Sequence, residues 1–183
     1  MVYIPSGTYR LQISPKFKFK EVKKLIPYLH ELGISTVYSA PFFTAAPGSE
    51  HGYDVVNPLE INPETGTMQE LQEIAAELKK YDMGWLQDIV PNHMAYHPTN
   101  QWLMEVLELG PASNYYNFFD INFSHPDFED KLMIPFLGEP LEKVVQQGQV
   151  EIRFSNHGLQ VAYFENVYPL NIASYTYLLQ QIA

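Results

Sequence analysis

The feature that most constrains the fold is an alternation of short apolar runs and amphipathic segments in the first half of the chain. Strands are predicted at residues 6–13, 34–39 and 85–90, which are short and rich in apolar or β-branched residues. Helices are predicted at 19–32 and from Thr67 onward, because apolar residues recur there at helical spacing. The order strand, helix, strand, helix, strand predicts an α/β fold in which parallel strands form a covered sheet.

The two predicted helices carry end signals in the sequence. Gly33 is a natural stop after the first helix, and Thr67 with Glu70 forms a capping box at the start of the second. Pro27 lies inside the first helix, where it removes a backbone donor and is expected to kink the helix.

A long segment rich in Pro and Gly, residues 40–66, separates the second strand from the second helix. It shows no clear periodicity, so it is predicted to be a loop, and its aromatic residues favour an ordered one. In parallel β/α folds, functional residues lie just past the carboxyl ends of strands. We therefore expect a site formed by residues 41–58 and 88–97.

The pattern changes after His97. Short helices are predicted at 100–109 and 128–136, and alternating apolar residues predict a β-hairpin near 150–164. The second half is therefore expected to be an irregular subdomain.

Composition excludes several classes of function. The chain has 183 residues, with 11 basic and 21 acidic side chains and a net charge of −10. Such a charge repels phosphate groups, so neither nucleic acid nor a membrane is an expected partner. The sequence contains no cysteine, no signal-peptide pattern and no apolar run of membrane-spanning length. We expect a cytoplasmic protein with a small-molecule ligand.

No metal or cofactor is predicted. His93 and His97 have the spacing of helical metal ligands, but Pro91 and Pro98 bracket them and no glutamate signature follows. The sequence also lacks a dinucleotide-binding glycine motif, a phosphate loop and a nucleophile elbow.

The first group of candidate site residues follows the second strand. Gly48 and Gly52 enclose a turn-prone segment that includes His51, and Tyr53 and Asp54 follow it directly. These residue types suit a polar ligand, but they equally fit a surface loop in which the tyrosine packs and the aspartate caps a turn.

The second group lies at the end of the third predicted strand. Asp88 falls within an apolar run, and a buried carboxylate requires a partner, for which an arginine on an adjacent strand is expected. Asn92 and His93 follow at the strand end, where a binding site is expected.

These groups carry a resemblance to a known family. Asp88-Ile89-Val90-Pro91-Asn92-His93 resembles the Asp-x-x-x-Asn-His signature of the alpha-amylase superfamily, and Gly52-Tyr53-Asp54 is similar to its Gly-Tyr-Asp loop. Further segments resemble the maltooligosyl trehalose synthases of that superfamily, in the same order along the chain: Thr8–Gln12, Ala46–Val56, Phe119–Ile121 and Ile134–Gly138. Glu50 and Asn57 depart from the pattern, which has Thr and Asp at those positions.

The resemblance implies a fold and an activity. Residues 1–97 would form the first three β/α units of a TIM (β/α)8 barrel, and residues 98–183 a subdomain inserted after the third strand. The whole enzyme would act on maltooligosaccharides, converting the reducing-end α-1,4 bond into an α,α-1,1 bond. This is an isomerase reaction of trehalose biosynthesis, and it would proceed through a covalent glycosyl-enzyme.

The resemblance also implies roles for single residues. Tyr53 would stack on the sugar just before the scissile bond, His93 would hydrogen-bond its hydroxyls, and Asp88 would pair with an arginine. The expected substrate-binding residues are His51, Tyr53, Asp54 and His93, with Asp88 and Asn92 in support.

The catalytic pair of the family lies on later strands. No Arg-x-Asp motif follows His93, and Arg153, the only later arginine, falls in the predicted hairpin. We therefore expect no catalytic residue here, and a truncated, N-terminal portion of the enzyme that is inactive alone. A non-catalytic carbohydrate-binding module and a portion of a hydrolytic amylase relative remain open as alternatives. The outer strands would expose unpaired edges, which a homo-oligomer or a missing C-terminal part would cover.

Overall fold

The structure is a computed structural model that describes residues 3–122, 124–128 and 131–182. The chain divides into two compact units, Met1–Ala95 and Tyr96–Ala183. Each unit is described below by itself.

The first unit contains the predicted alternation of strands and helices, with one hairpin added. Its elements in chain order are β1 (Thr8–Leu11), α1 (Phe19–Glu31), β2 (Thr36–Ser39), β3 (Phe43–Ala45), β4 (Val55–Ile61), α2 (Met68–Lys80) and β5 (Gly84–Gln87). Strands β1, β2 and β5 form a parallel sheet in the order β1-β2-β5. The three predicted parallel strands and the two predicted helices are therefore confirmed, with shorter strands than expected.

Both helices begin as the sequence predicts. Thr67 and Glu70 form the capping box of α2: the Glu70 amide donates to Thr67 Oγ1 at 3.2 Å, and the Thr67 amide donates to Glu70 Oε2 at 2.8 Å. Pro27 lies inside α1, which continues to Glu31. Gly33 follows with a φ of 84°, a left-handed conformation that suits glycine after a helix.

One face of the parallel sheet packs against the helices. Leu11 and Val37 point to this face and join one buried core with residues of both helices: Phe19, Val22, Ile26, Leu29, Ile74 and Leu78. The opposite face carries the register partners Arg10, Tyr38 and Leu86, because successive residues of a strand point to opposite sides. Leu86 is 50% exposed, so this second face is open within the unit.

The predicted loop at 40–66 is wrong in part, because it contains a β-hairpin. Strand β3 pairs with β4 in antiparallel fashion, with Ala45 opposite Val55 and Phe43 opposite Ile61. The register shifts twice within three residues of β3, which breaks the alternation that marks a strand in the sequence. The third parallel strand is also shorter than predicted, so Asp88 follows β5 instead of lying within it.

The second unit combines helices with an antiparallel sheet. It contains α3 (Gln101–Leu109), α4 (Leu141–Gln146), β6 (Val150–Ser155), β7 (Gly158–Tyr163), β8 (Asn166–Pro169) and α5 (Ala173–Ile182). The sheet has the order β6-β7-β8. The buried Asn100 caps α3, since its side chain accepts from the Leu103 amide at 3.1 Å.

The predictions for this unit have mixed outcomes. The helix near 100–109 and the hairpin of β6 and β7 are confirmed. The helix predicted at 128–136 is wrong where the structure describes it, because residues 131–136 are not helical; residues 129 and 130 lie outside the described residues. The sequence analysis also missed α4, β8 and α5. In the described part of the chain, no helix is long and apolar enough to cross a membrane.

Candidate functional site

The tip of the β3–β4 hairpin carries three of the predicted site residues, His51, Tyr53 and Asp54. The tip is closed by the Ala46 amide, which donates to the Asp54 carbonyl at 2.9 Å. Gly52 is buried with a φ of 76°, and a Cβ added there would lie 2.3 Å from the Pro41 carbonyl oxygen. Only glycine fits this position, which determines where the Tyr53 backbone leaves the turn.

Tyr53 lies in a hydrogen-bonded cluster at the carboxyl ends of the parallel strands. Its hydroxyl donates to Asp88 Oδ2 at 2.6 Å and accepts from Arg10 Nη2 at 3.2 Å. The Tyr38 hydroxyl donates to the same Asp88 oxygen at 3.1 Å, and the Arg10 guanidinium lies 5.6 Å from the centre of the Tyr38 ring. We call these four residues, Arg10, Tyr38, Tyr53 and Asp88, the phenol cluster.

The phenol cluster corrects the predicted partner of Asp88. The expected donor was an arginine on an adjacent strand, whereas the hydrogen bonds described for this carboxylate come from the hydroxyls of Tyr38 and Tyr53. Arg10 does lie on a nearby strand, but it donates to Tyr53. The prediction that Asp88 needs a partner is therefore right, and the identity of the donor is wrong.

The electrostatics of the cluster keep Tyr53 protonated. The hydrogen bond to the Asp88 carboxylate raises the pKa of the Tyr53 phenol, and the hydrogen bond from Arg10 opposes that effect only in part. The same contact with Tyr53 raises the pKa of Arg10. Both shifts favour the protonated forms, in which the phenol donates to Asp88 and Arg10 is cationic.

His51 and Asp54 form a second layer of contacts within the hairpin tip. The Tyr53 amide donates to His51 Nδ1 at 3.0 Å, so this nitrogen is unprotonated and Nε2 carries the proton. His51 Nδ1 also lies 3.6 Å from Asp54 Oδ1. That distance is longer than a hydrogen bond, and an ion pair would need a proton on Nδ1, so the amide contact defines the tautomer.

The Asp54 carboxylate is hydrogen-bonded within the hairpin tip. It accepts a short hydrogen bond from the Ser49 hydroxyl, and Ser49 Oγ in turn accepts from the Gly52 amide at 3.2 Å. These contacts hold the turn closed around Gly52.

Asn92 and His93 lie in the segment after β5, and both are exposed. His93 Nδ1 lies 3.3 Å from Asn92 Oδ1. Among the described residues, neither side chain forms a hydrogen bond with the phenol cluster. The structure thus brings Tyr53 and Asp88 together directly and leaves His93 as an accessible imidazole farther along the same segment.

Three residues of this site were missed as site residues by the sequence analysis. Arg10 and Tyr38 complete the phenol cluster, and Gln12 donates from Nε2 to the carbonyls of Glu50 and His51 at 3.3 and 3.2 Å. The available signal was the pair of polar residues two positions apart, Arg10 and Gln12, in a predicted apolar strand.

The site offers an aromatic ring with a fixed hydroxyl, flanked by an imidazole donor. Among the residues that the structure describes, no three histidine, aspartate or glutamate side chains are close enough together to hold a metal ion. A ring face surrounded by hydrogen-bonding groups is suited to a polyol, which has an apolar ring face and hydroxyl edges.

Comparison with known proteins gives consistent matches. Residues 19–146 match the family model described as the catalytic domain of alpha amylase. A Mycobacterium tuberculosis protein assigned as a maltooligosyl trehalose synthase is 36% identical over 145 residues, which cover 75% of this chain and 19% of that protein.

Solved structures match as well. A maltooligosyl trehalose synthase superposes with a TM-score of 0.83 and 36% identity, over 97% of this chain and 24% of that one. The maltooligosyltrehalose synthase from Arthrobacter ramosus superposes with a TM-score of 0.79 and 32% identity, over 93% and 22%. The chain thus spans only a fifth to a quarter of the length of these relatives. The superpositions confirm the predicted fold class: the described residues form an N-terminal portion of a TIM barrel and no closed barrel.

Proposed function

Because the chain belongs to the alpha-amylase family, we propose that its first unit is part of a maltooligosaccharide-binding site in an enzyme of the maltooligosyl trehalose synthase type. Family membership confirms the resemblance seen at Gly52–Asp54 and Asp88–His93. The observation that carries the proposal is the position of Tyr53, whose hydroxyl is held between Arg10 and Asp88 at the carboxyl ends of the parallel strands.

In this proposal Tyr53 provides the stacking surface for one glucose ring. Its hydroxyl is already hydrogen-bonded on both sides, so the ring face, not the hydroxyl, is the part available to a ligand. Stacking an aromatic ring on the apolar face of a sugar buries carbon surface without leaving a polar group unpaired.

Two imidazoles would supply the hydrogen bonds to the sugar hydroxyls. His51 carries its proton on Nε2 and is exposed, so it can donate to a ligand. His93 is exposed in the segment after β5. Asp54 and Asn92 would act mainly by holding the hairpin tip and the His93 segment, respectively.

The whole enzyme would transfer a glycosyl unit within one maltooligosaccharide. A carboxylate nucleophile and an acid/base residue from later strands would form and resolve a glycosyl-enzyme. Attack by the C1 hydroxyl of the released glucose would create the α,α-1,1 bond, and water must be excluded for this isomerisation to compete with hydrolysis. The 183-residue chain would then bind maltooligosaccharide without rearranging it.

We extend the proposal to the rest of the chain. Residues 98–183 would be a subdomain inserted after the third barrel strand, and the protein would act in the cytoplasm. The outer strands β1 and β5 end the parallel sheet on either side. A second copy of the chain or further barrel strands would cover their free edges.

Calorimetric titration of the 183-residue chain with maltopentaose tests the binding. We expect saturable heat, and Tyr53→Ala should weaken the affinity roughly tenfold by removing the stacking ring. Tyr28→Ala is the matched control, since Tyr28 is 57% exposed on α1 and outside the site. Absence of heat with the unsubstituted chain would contradict the proposal.

A chimera tests the reaction. The matching segment of a solved maltooligosyl trehalose synthase is replaced by this sequence, and maltopentaose is added. Loss of reducing ends without release of glucose is the expected result, and Tyr53→Ala in the chimera should reduce it. A folded chimera that instead releases new reducing ends would favour a hydrolytic amylase relative, and one that binds without any reaction would favour a binding module.

A further inference from the structure

Arg10 lies on the open face of the parallel sheet, on the outer strand β1. It points to the side opposite the helices, next to its register partner Tyr38. Its guanidinium makes three contacts: Nη1 donates to Gln12 Oε1 at 3.0 Å, Nη2 donates to the Tyr53 hydroxyl at 3.2 Å, and the group lies over the Tyr38 ring. The planar fork of the guanidinium makes these three contacts at once.

Two charged neighbours, Arg10 and Asp88, orient the Tyr53 hydroxyl. A phenol has one proton to donate, and here that proton goes to Asp88 Oδ2. Arg10 donates to an oxygen lone pair from another direction. With a cation and an anion on either side, the hydroxyl has one favoured orientation.

The other end of Tyr53 is also restrained. Its amide donates to His51 Nδ1, and the preceding Gly52 is pressed against the Pro41 carbonyl. A ring held at its backbone and at its hydroxyl has little rotational freedom left to lose when a ligand binds, which favours affinity.

Gln12 links these two restraints. Arg10 and Gln12 are two positions apart on β1 and its continuation, so they share a face of the chain. Gln12 accepts from Arg10 through Oε1 and donates through Nε2 to the carbonyls of Glu50 and His51 in the hairpin tip. The same short segment therefore holds both the Tyr53 hydroxyl and the turn that precedes Tyr53.

We propose that Arg10 is a positioning residue for this site, which fixes the direction of the Tyr53 ring without contacting the sugar itself. The part of the proposal that concerns sugar affinity rests on the proposed function. The fixing of the Tyr53 ring does not rest on the proposed function, because it concerns contacts within the chain alone. If Arg10 were only an exposed strand residue, its hydrocarbon stem would be all that matters, and methionine would replace it without effect.

Nuclear magnetic resonance of the chain labelled with carbon-13 at the tyrosine Cζ tests whether Arg10 fixes the Tyr53 ring. Tyr53 is assigned as the signal lost in Tyr53→Phe. Arg10→Met should shift this signal and raise the pKa of Tyr53 further, because the cation that opposes Asp88 is gone. Asp88→Asn should move the same pKa downward. Lys80→Met is the control. It changes the net charge equally, and Lys80 pairs with Glu77 on α2, on the other face of the sheet, so Tyr53 should be unchanged.

Arg10→Lys separates charge from geometry. Lysine keeps the cation and can donate to Tyr53, but it cannot also reach Gln12 in the planar arrangement, so we expect partial recovery of the Tyr53 shift. If circular dichroism shows that Arg10→Met does not fold, Arg10→Lys is the variant in which the Tyr53 signal is measured. A Tyr53 signal and pKa unchanged in Arg10→Met and in Arg10→Lys would overturn the proposal.

Maltopentaose affinity provides the second readout. Arg10→Met should weaken it roughly three- to tenfold, as expected for the loss of one charge-assisted hydrogen bond at a partly exposed site. Lys80→Met should bind like the unsubstituted chain. If the unsubstituted chain binds no sugar, the proposed function fails and the Tyr53 signal alone decides the role of Arg10. Unchanged affinity in Arg10→Met would overturn its role in binding.

Discussion

Gly52→Ala is the substitution for which the structure makes the sharpest quantitative prediction. The added Cβ would lie 2.3 Å from the Pro41 carbonyl oxygen and 3.1 Å from its carbon, both of them backbone atoms. Gly52 also has a φ of 76°, which a residue with a Cβ adopts at a cost. Two separate penalties therefore apply at one position.

Gly48 offers a matched control in the same hairpin tip. Its φ of 77° is almost identical to that of Gly52, but a Cβ added there meets nothing within 4 Å. The left-handed conformation costs about 1–2 kcal/mol per residue with a Cβ, so Gly48→Ala should lose about that much. Crowding against fixed atoms adds about 1–3 kcal/mol, so Gly52→Ala should lose about 2–5 kcal/mol. The lower entropy of the unfolded chain with alanine is common to both variants and cancels in the comparison.

Urea unfolding followed by circular dichroism measures the two losses. We expect Gly52→Ala to be less stable than Gly48→Ala by about 1–3 kcal/mol. If the tip rearranges locally instead, the unfolding difference shrinks, but Tyr53 is then displaced and its Cζ signal shifts in Gly52→Ala only. Equal stability of the two variants together with an unshifted Tyr53 signal would refute the reasoning.

Three further predictions concern stability away from the site. Thr67→Ala should lower the free energy of unfolding by about 1 kcal/mol because it removes the side-chain oxygen that accepts from the Glu70 amide; an unchanged urea midpoint would contradict the capping role. Tyr96 has a buried hydroxyl with no hydrogen-bond partner among the described residues, so Tyr96→Phe should raise the free energy of unfolding by about 1 kcal/mol. Burial also raises the pKa of Tyr96 and of its neighbour Tyr168. A raised pKa contributes stability that is fully present below the unfolded value of about 10 and is lost as pH rises through the folded value. Urea midpoints measured from about pH 8 to about pH 11 should therefore fall, and fall less steeply in Tyr96→Phe.

The sequence predicted the elements of the first unit better than those of the second. Helices α1 and α2 carry strong periodicity and, in α2, a complete capping box. The hairpin of β3 and β4 was missed because its register shifts twice and Pro58 interrupts β4. In the second unit, helix α4 has six residues, too few for a helical period to become visible.

The sequence named some residues of the candidate site but not their contacts. Tyr53 and Asp88 were both named from the sequence, and the structure joins them by a hydrogen bond across 35 positions of the chain. The arginine expected beside Asp88 lies instead beside Tyr53, and Tyr38 takes its place as a donor. Residue types at strand ends thus predicted the position of the candidate site, whereas the hydrogen-bond donor for each acceptor could not be predicted from the pattern.

The sequence by itself determined the order of the three parallel strands and two helices of the first unit, and it named two segments for the candidate site. These depend on signals that act within a few residues: apolar spacing, helix caps, and glycines that allow a turn. Only the tertiary structure decided that the Tyr53 hydroxyl lies between Arg10 and Asp88, with Gln12 holding the turn before it. Arg10 and Tyr53 are 43 positions apart, and Tyr38 and Asp88 are 50 positions apart. Their contacts follow from the parallel register of β1, β2 and β5 and from the shifted register of the hairpin, which no local signal specifies.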